Sequence, residues 1–190
     1  MTRTNLIRLG ATVAFAITLG LIVEIMGLRE NFTLEYLRTT IEANLFVGIA
    51  VFIGLFALGN LIQIPGWIFM AGAILALGKV GGGLVTYAAA VFSCLVTYVI
   101  IGYIGKNALR SIDNKYAKKL LGHLDTHPLR SIVLLRAFLG SSPILNYTLA
   151  LSGVTFNHHI KGTLIGLAIP VFLHTLLFEF FAKHLFDIAI

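Results

Sequence analysis

The chain has 190 residues, 58% of them hydrophobic and 12% charged, with a mean hydropathy of +0.94. A soluble domain carries about 25% charged residues, so composition argues against a soluble enzyme and for an integral membrane protein of one domain. The formal net charge of +6 comes mostly from basic residues in short loops between apolar segments. That pattern fits membrane orientation and contact with anionic headgroups, not nucleic-acid binding.

Arg3 and Arg8 flank the start of a first apolar span, Leu6–Leu28, long enough to cross about 30 Å of hydrocarbon at ~1.5 Å per residue. It exceeds the apolar core of a signal peptide and ends without a small-residue cleavage site, so it reads as a retained anchor. Glu24 lies near its end, within reach of the interface, and is a weaker candidate for proton coupling. Leu34, Leu37, Ile41 and Leu45 then recur at helical spacing among Glu30, Glu35, Arg38 and Glu42, which predicts an interfacial helix closing an N-terminal unit over 1–44.

The rest of the predicted membrane unit covers 45–182. Leu45–Leu77 is apolar but interrupted at Gln63-Ile64-Pro65-Gly66. The arm after the break reaches only about 18 Å as helix, a half-crossing. A re-entrant hairpin over 45–78 and a pair of tilted full spans both fit. Gly78 and Gly81–Gly83 follow, and with no Walker spacing they read as a turn and a close helix contact instead of a phosphate cradle. Residues 84–105 form a complete span containing Cys94, the sole cysteine, which leaves no disulfide within the chain.

Residues 107–124 predict a basic amphipathic helix on an anionic leaflet. Its apolar face is Leu109, Ile112, Tyr116, Leu120 and Leu124, opposite Arg110, Lys115, Lys118 and Lys119. The arm 129–139 carries Arg136 and breaks at Gly140-Ser141-Ser142-Pro143; a second arm, 144–156, returns. Each arm is too short to cross, so 129–156 predicts a re-entrant hairpin. Asn157-His158-His159-Ile160-Lys161 reads as a polar turn, and 162–182 as the last span, kinked at Pro170. The layout of broken hairpin then full helix occurs twice, which predicts an inverted repeat whose broken segments meet at the midplane. The fold class is thus all-α, with two hairpins, about three full spans and interfacial helices. Loop charge places the N-terminus and 106–130 in the cytoplasm and the C-terminus outside, whether or not either hairpin crosses fully.

A guanidinium at membrane depth is a site hypothesis by default, and broken backbone is tolerated there only beside protein or a water-filled cavity. Arg136 therefore has two readings: it holds a phosphate through paired hydrogen bonds, or it caps carbonyls freed by the break. Ser141, Ser142, Asn146 and Tyr147 fall beside it in sequence, and Gln63 would face it across the repeat axis. Pro65, Gly66, Gly140, Pro143 and Gly153 are expected to shape the hairpins. His174 is a deeper titratable group. Glu179, four residues before Lys183, is expected to pair with it. His158 and His159 have no partner at metal-ligand spacing, so neither metal nor cofactor is expected. No nucleophile–base set stands out, so no enzyme is predicted.

Arg136, the break ending at Pro143, Asn146-Tyr147, Gly153, Phe156, Gly162-Thr163-x-x-Gly166 and Pro170 resemble the signature of the DedA superfamily, in its VTT-domain branch of SNARE-associated Golgi proteins. Pro65-Gly66, Gly72, Gly78 and Gly81-Gly82 are similar to that family's first hairpin and glycine-rich helix entry, so the likeness covers roughly 45–175. The resemblance implies two facing re-entrant hairpins and lipid movement between leaflets: undecaprenyl phosphate recycling in bacterial members, phospholipid scrambling in eukaryotic relatives, and proton coupling in several. This chain departs from it in carrying Gln63 where many members have acidic residues near the first hairpin, and Ser142 where many have a second arginine. The expected function is a translocase or scramblase for a phosphate-bearing lipid in the cell inner membrane. Its partners would be anionic membrane lipids, with a homo-oligomer left open. A small-solute carrier and a non-transporting scaffold are the alternatives.

Overall fold

Apolar runs punctuated by proline, glycine and asparagine give a chain of helices whose ends are set by those punctuators. A computed structural model describes residues 3–27, 33–105 and 107–185; the side chains of Leu34, Glu179 and 181–185 fall outside that description. All regular structure among the described residues is helical. The helices are α1 (Arg3–Ile25), α2 (Leu34–Ala43), α3 (Leu45–Leu61), α4 (Gly66–Gly105), α5 (Lys115–Thr126), α6 (Pro128–Leu139), α7 (Pro143–Leu151) and α8 (Phe156–Leu185), with a 3-10 turn at Ala108–Ser111. Three are long and apolar enough to cross a membrane: Arg3–Ile25, Gly66–Gly105 and Phe156–Phe178.

Local chemistry explains the boundaries. Thr33 and Asn44 cap α2 and α3 by accepting from Tyr36 N and Val47 N at 3.3 and 3.1 Å, supplying partners for helix-terminal N–H groups. Pro128 and Pro143 open α6 and α7, where a missing N–H costs nothing. The last turn of α6 ends on Gly140 at φ 58°, and α4 is broken at Gly78 at φ 69° into arms 66–77 and 79–105. Positive φ at these two positions is cheap only for glycine.

Helix α4 is central, touching α1, α2, α3, α7 and α8. Its first arm folds back along α3 through Phe52, Phe56 and Phe69, with ring centroids 6.1 Å (Phe52–Phe69) and 4.6 Å (Phe56–Phe69) apart. Leu37 and Ile41 of α2 are buried in the same core. The predicted interfacial helix therefore docks on the bundle through Leu37 and Ile41, whereas Leu45 is half exposed and starts α3.

Several expectations are corrected. The second arm of α4 is helical from 79, so Gly81–Gly83 lie inside a helix and the turn is at Gly78 alone. The close contact is real: a Cβ on Gly82 would lie 2.5 Å from Ile74 Cα. The basic stretch is not one helix over 107–124. Asn107 is left-handed, Ala108–Ser111 is a 3-10 turn, and Asn114 starts α5 by accepting from Tyr116 N at 2.8 Å. Tyr116 is exposed, off the buried Leu121 and Leu124 face on which its spacing had placed it. The segment 157–161 is not a turn but the first turns of α8. The turn lies earlier, at 152–155, where Gly153 takes φ 80° and Tyr98 Oη donates to Val154 O. Pro170 sits inside α8, which continues through it.

Arg110 ties this turn to the basic segment. Its Nε donates to Ser152 O at 2.7 Å, and its terminal nitrogens hold Asp125 at 3.0 and 2.6 Å. The Arg110 hydrogen bonds keep the Asp125 carboxyl below the usual carboxylate range. A carboxyl depressed on folding adds stability above its unfolded pKa of about 3.9, and that contribution is lost as pH falls through the lower folded value. Asp125→Asn is expected to lower stability by about 0.5–1 kcal/mol near pH 7. In Tm measurements across pH, the gap to wild type should close on the acid side; a constant gap would contradict the pair.

Candidate functional site

The two chain breaks face one another. Asn60, in the last turn of α3, donates from Nδ2 to Ser141 O at 3.1 Å. Asn146, in the first turn of α7, donates from Nδ2 to Asn60 Oδ1 at 2.7 Å and to Ser141 O at 3.4 Å. Tyr147 Oη donates to Leu61 O at 2.8 Å, and a Cβ on Gly66 would come within 2.8 Å of Ser141 Oγ. Three side chains, Asn60, Asn146 and Tyr147, and two backbone carbonyls, Leu61 and Ser141, are thereby stitched into one polar joint across the breaks.

Arg136 sits behind that joint. It is fully buried, the largest such side chain among the described residues. Its Nη1 donates to Asn146 Oδ1 and, at 3.3 Å, to Gly140 O, while Nε and Nη2 have no partner. Both acceptors are neutral. A buried ion without a counter-charge costs several kcal/mol, so the surroundings matter. Gly166 of α8 lets the arginine stem lie against the helix backbone: a Cβ there would be 2.5 Å from Arg136 Cβ. On the same stretch of α8, His159 is buried, stacks on Tyr98 at 4.3 Å and reaches Cys94 O with Nε2 at 3.3 Å. Thr86, Ser93, Thr97 and Thr163 are buried too, their hydroxyls without hydrogen-bond partners. Among the described residues, the buried polar groups are thus one arginine and uncharged amides and hydroxyls, with His159 beside them.

In front of the joint is a cleft of about 520 Å³. Both breaks line it, through Gln63, Pro65 and Gly66 on one side and Gly140 to Pro143 on the other. Thr86, Pro170 and His174 also line its wall. Trp67, Phe138 and Ile144 are 61%, 85% and 73% exposed at its rim, so the mouth is bordered by large apolar side chains.

A family model described as the VTT domain matches residues 64–180. The chain belongs to the VTT-domain family. It is the DedA or SNARE-associated Golgi protein domain, and with three apolar helices of spanning length the chain is a membrane protein. No curated protein and no solved structure matches it. The predicted residues of this VTT protein divide into three groups. Gln63, Ser141 and Ser142 line the cleft, with His174 beside them. Arg136, Asn146 and Tyr147 lie behind or within the joint, where Tyr147 fastens the backbone of α3. Glu24 is exposed on α1, outside the VTT match, and the Glu179 side chain lies outside the described residues. Gly153 is not in a hairpin tip but in the turn before α8, packed on Asn107 and Arg110.

Asn60 and His159 are buried polar residues that sequence reasoning does not single out, as are the buried threonines Thr12, Thr86, Thr97 and Thr175. Asn60 is a lone amide in the apolar run 45–64, three residues before the first break, and membrane-depth polarity should have marked it. His159 lies in a polar run, 157–161, whose composition reads as a turn. Its spacing to Gly162, Thr163 and Gly166 puts a small and polar stripe on one helical face, and that stripe was the signal.

Proposed function

We propose that this VTT protein is a lipid translocase of the cell inner membrane. In it, the two hairpins are re-entrant halves of an inverted repeat, and the cleft between their tips takes a phosphate-bearing headgroup. The observation that carries this reading is Arg136: buried, bonded only to neutral acceptors, and directly behind the wall of a cleft lined by both breaks. Two unit charges at an effective dielectric of ~20 are worth about 4 kcal/mol at ~4 Å and less with distance, so behind the wall the Arg136 charge is taken as worth about 2 kcal/mol to an anion. It acts through its field and by holding the Gly140 carbonyl, while Ser141, Ser142 and Gln63 supply hydrogen bonds at the cleft surface. An arginine kept behind the wall attracts the phosphate without clamping it, which release on the far side requires. The apolar rim of Trp67, Phe138 and Ile144 favours a lipid, whose tails stay in hydrocarbon, over a small solute. Orientation with the 106–130 loop in the cytoplasm rests on its excess of lysine and arginine.

The test is leaflet exchange of a fluorescent long-chain phosphatidate in phosphatidylcholine vesicles. Wild type is expected to exchange it, and Arg136→Met to slow exchange by about 30-fold, the factor equivalent to that ~2 kcal/mol. Equal rates for the two proteins would remove Arg136 from the mechanism. Measuring both with and without a pH gradient asks whether His174, at the cleft wall, couples exchange to protons.

A further inference from the structure

A second concavity lies next to the cleft. It is a groove of about 840 Å³ between the 79–105 arm of α4 and α8. Leu84, Ile169, Phe172, Leu173 and Leu176 line it with 40–68% exposure, and Lys79 stands at one end. Tyr87, whose Oη donates to Leu164 O at 2.7 Å, ties the two helices together at the other end. From 79 to 87 the helix rises about 12 Å, close to the ~15 Å depth of one leaflet's hydrocarbon.

Cleft and groove share Val171 as a wall residue. One turn on, Thr175 closes the same partition by packing on Gly83, where a Cβ would lie 3.2 Å from its side chain. That stretch of α8 carries a proline and two side chains bonded back to the helix backbone. Pro170 removes a backbone donor, the His174 ring nitrogen Nδ1 is 2.6 Å from Pro170 O, and Thr175 Oγ1 donates to Val171 O at 2.7 Å. Proline and back-bonded threonine are recognised causes of helix bending. The partition between the polar and the apolar compartment is therefore a bendable stretch.

From this arrangement we infer that the groove holds the hydrocarbon tail of the same lipid whose headgroup enters the cleft, the molecule straddling α8 at Pro170–Thr175. The inference rests on the translocase reading and adds to it a requirement on the chain. Because the groove faces hydrocarbon, tail transfer from bilayer to groove contributes little drive. The groove instead selects lipids whose chain runs the depth of a leaflet.

Leu84→Trp and Leu176→Trp fill the groove from exposed positions, so the fold should tolerate them, which circular dichroism and gel filtration would check. Exchange in phosphatidylcholine vesicles is read with two fluorescent phosphatidates, one long-chain and one short-chain. The expected result is about a tenfold fall for the long-chain probe with the short-chain rate unchanged, while Arg136→Met slows both. Unchanged long-chain exchange in the tryptophan variants overturns the inference, and so does an equal fall for both probes. Should wild type move neither probe, the translocase reading fails by itself, and the groove is judged by crosslinking. A phosphatidate with a diazirine at its chain end would then label 79–87 and 168–176 in preference to α1. Even labelling along all exposed apolar helices overturns the groove.

Discussion

Asn146→Asp is expected to make the protein more stable and to stop it working. The substitution is nearly isosteric and puts a carboxylate where Arg136 Nη1 now donates to a neutral amide oxygen. Two effects compete. Asn146 Nδ2 now donates to Asn60 Oδ1 and Ser141 O, and a carboxylate cannot donate. Asn60 can turn its amide to donate to the new carboxylate, at the expense of its own bond to Ser141 O. The net loss is about one or two neutral hydrogen bonds, worth roughly 1 kcal/mol each. Against that stands a buried cation that gains its counter-charge, where leaving such a charge unpaired costs about 3–5 kcal/mol. The pairing wins, so the midpoint of thermal or denaturant unfolding in detergent should rise. The field that draws an anion into the cleft is cancelled by the same change, and leaflet exchange of phosphatidate should fall about as far as in Arg136→Met.

Asn146→Asp also separates the two readings of Arg136. A purely structural arginine, present to hold the Gly140 carbonyl and the α7 end, would be better held by an aspartate, and exchange would survive. A variant that is more stable and still active would leave the charge without a role. Arg136→Met alone lacks this power, because it removes the charge and the structural hydrogen bonds together.

How much of this site can be read without coordinates depends on what kind of signal each residue leaves. The breaks are legible because proline and glycine act locally: Pro143 can only begin a helix, and Gly140 at φ 58° can only end one cheaply. Arg136 is legible because a charge in an apolar run has no cheap bland explanation. The partner that faces the second break is not, since Gln63 and Asn60 are both amides near the first break and only packing chooses between them. Gln63 takes φ 69° and turns outward into the cleft wall, leaving Asn60 to face Ser141 and Asn146. His159 shows the opposite failure. Neighbours such as Asn157, His158 and Lys161 are exposed and make the stretch look like a loop, while one position in it is fully buried. Mean polarity hid a face. Burial of Arg136 behind the cleft wall, instead of at its surface, follows from the closeness of α6 to α8, which only the glycines at 162 and 166 foreshadow.

Those two glycines set up the second large effect. Gly166→Val is expected to cost about 3 kcal/mol or more in stability and to abolish exchange. A Cβ at 166 would lie 2.5 Å from Arg136 Cβ, 2.9 Å from Val133 O and 3.0 Å from Val133 Cα. Two of the three obstacles are backbone of α6, which no rotamer change can move, so the helices must part. Gly162 repeats the contact one turn away, against Ile132 at 2.6 Å, so the pair of glycines forms a seam on which α6 lies. Small residues that let backbones approach are the usual device for packing helices in a membrane. Here they also set the depth of the arginine, because Arg136 projects from the part of α6 that the seam holds in place. Pushing α6 outward would swing the guanidinium toward the cleft and break its bonds to Gly140 and Asn146. The control is Gly10→Val on α1, where a Cβ meets nothing within 4 Å and stability should stay within about 0.5 kcal/mol of wild type. Thermal unfolding of the two variants in detergent, with exchange measured on each, distinguishes the seam from a general intolerance of β-branched residues in these helices. Equal stability of the two valine variants would mean that α6 and α8 are not held together at Gly166.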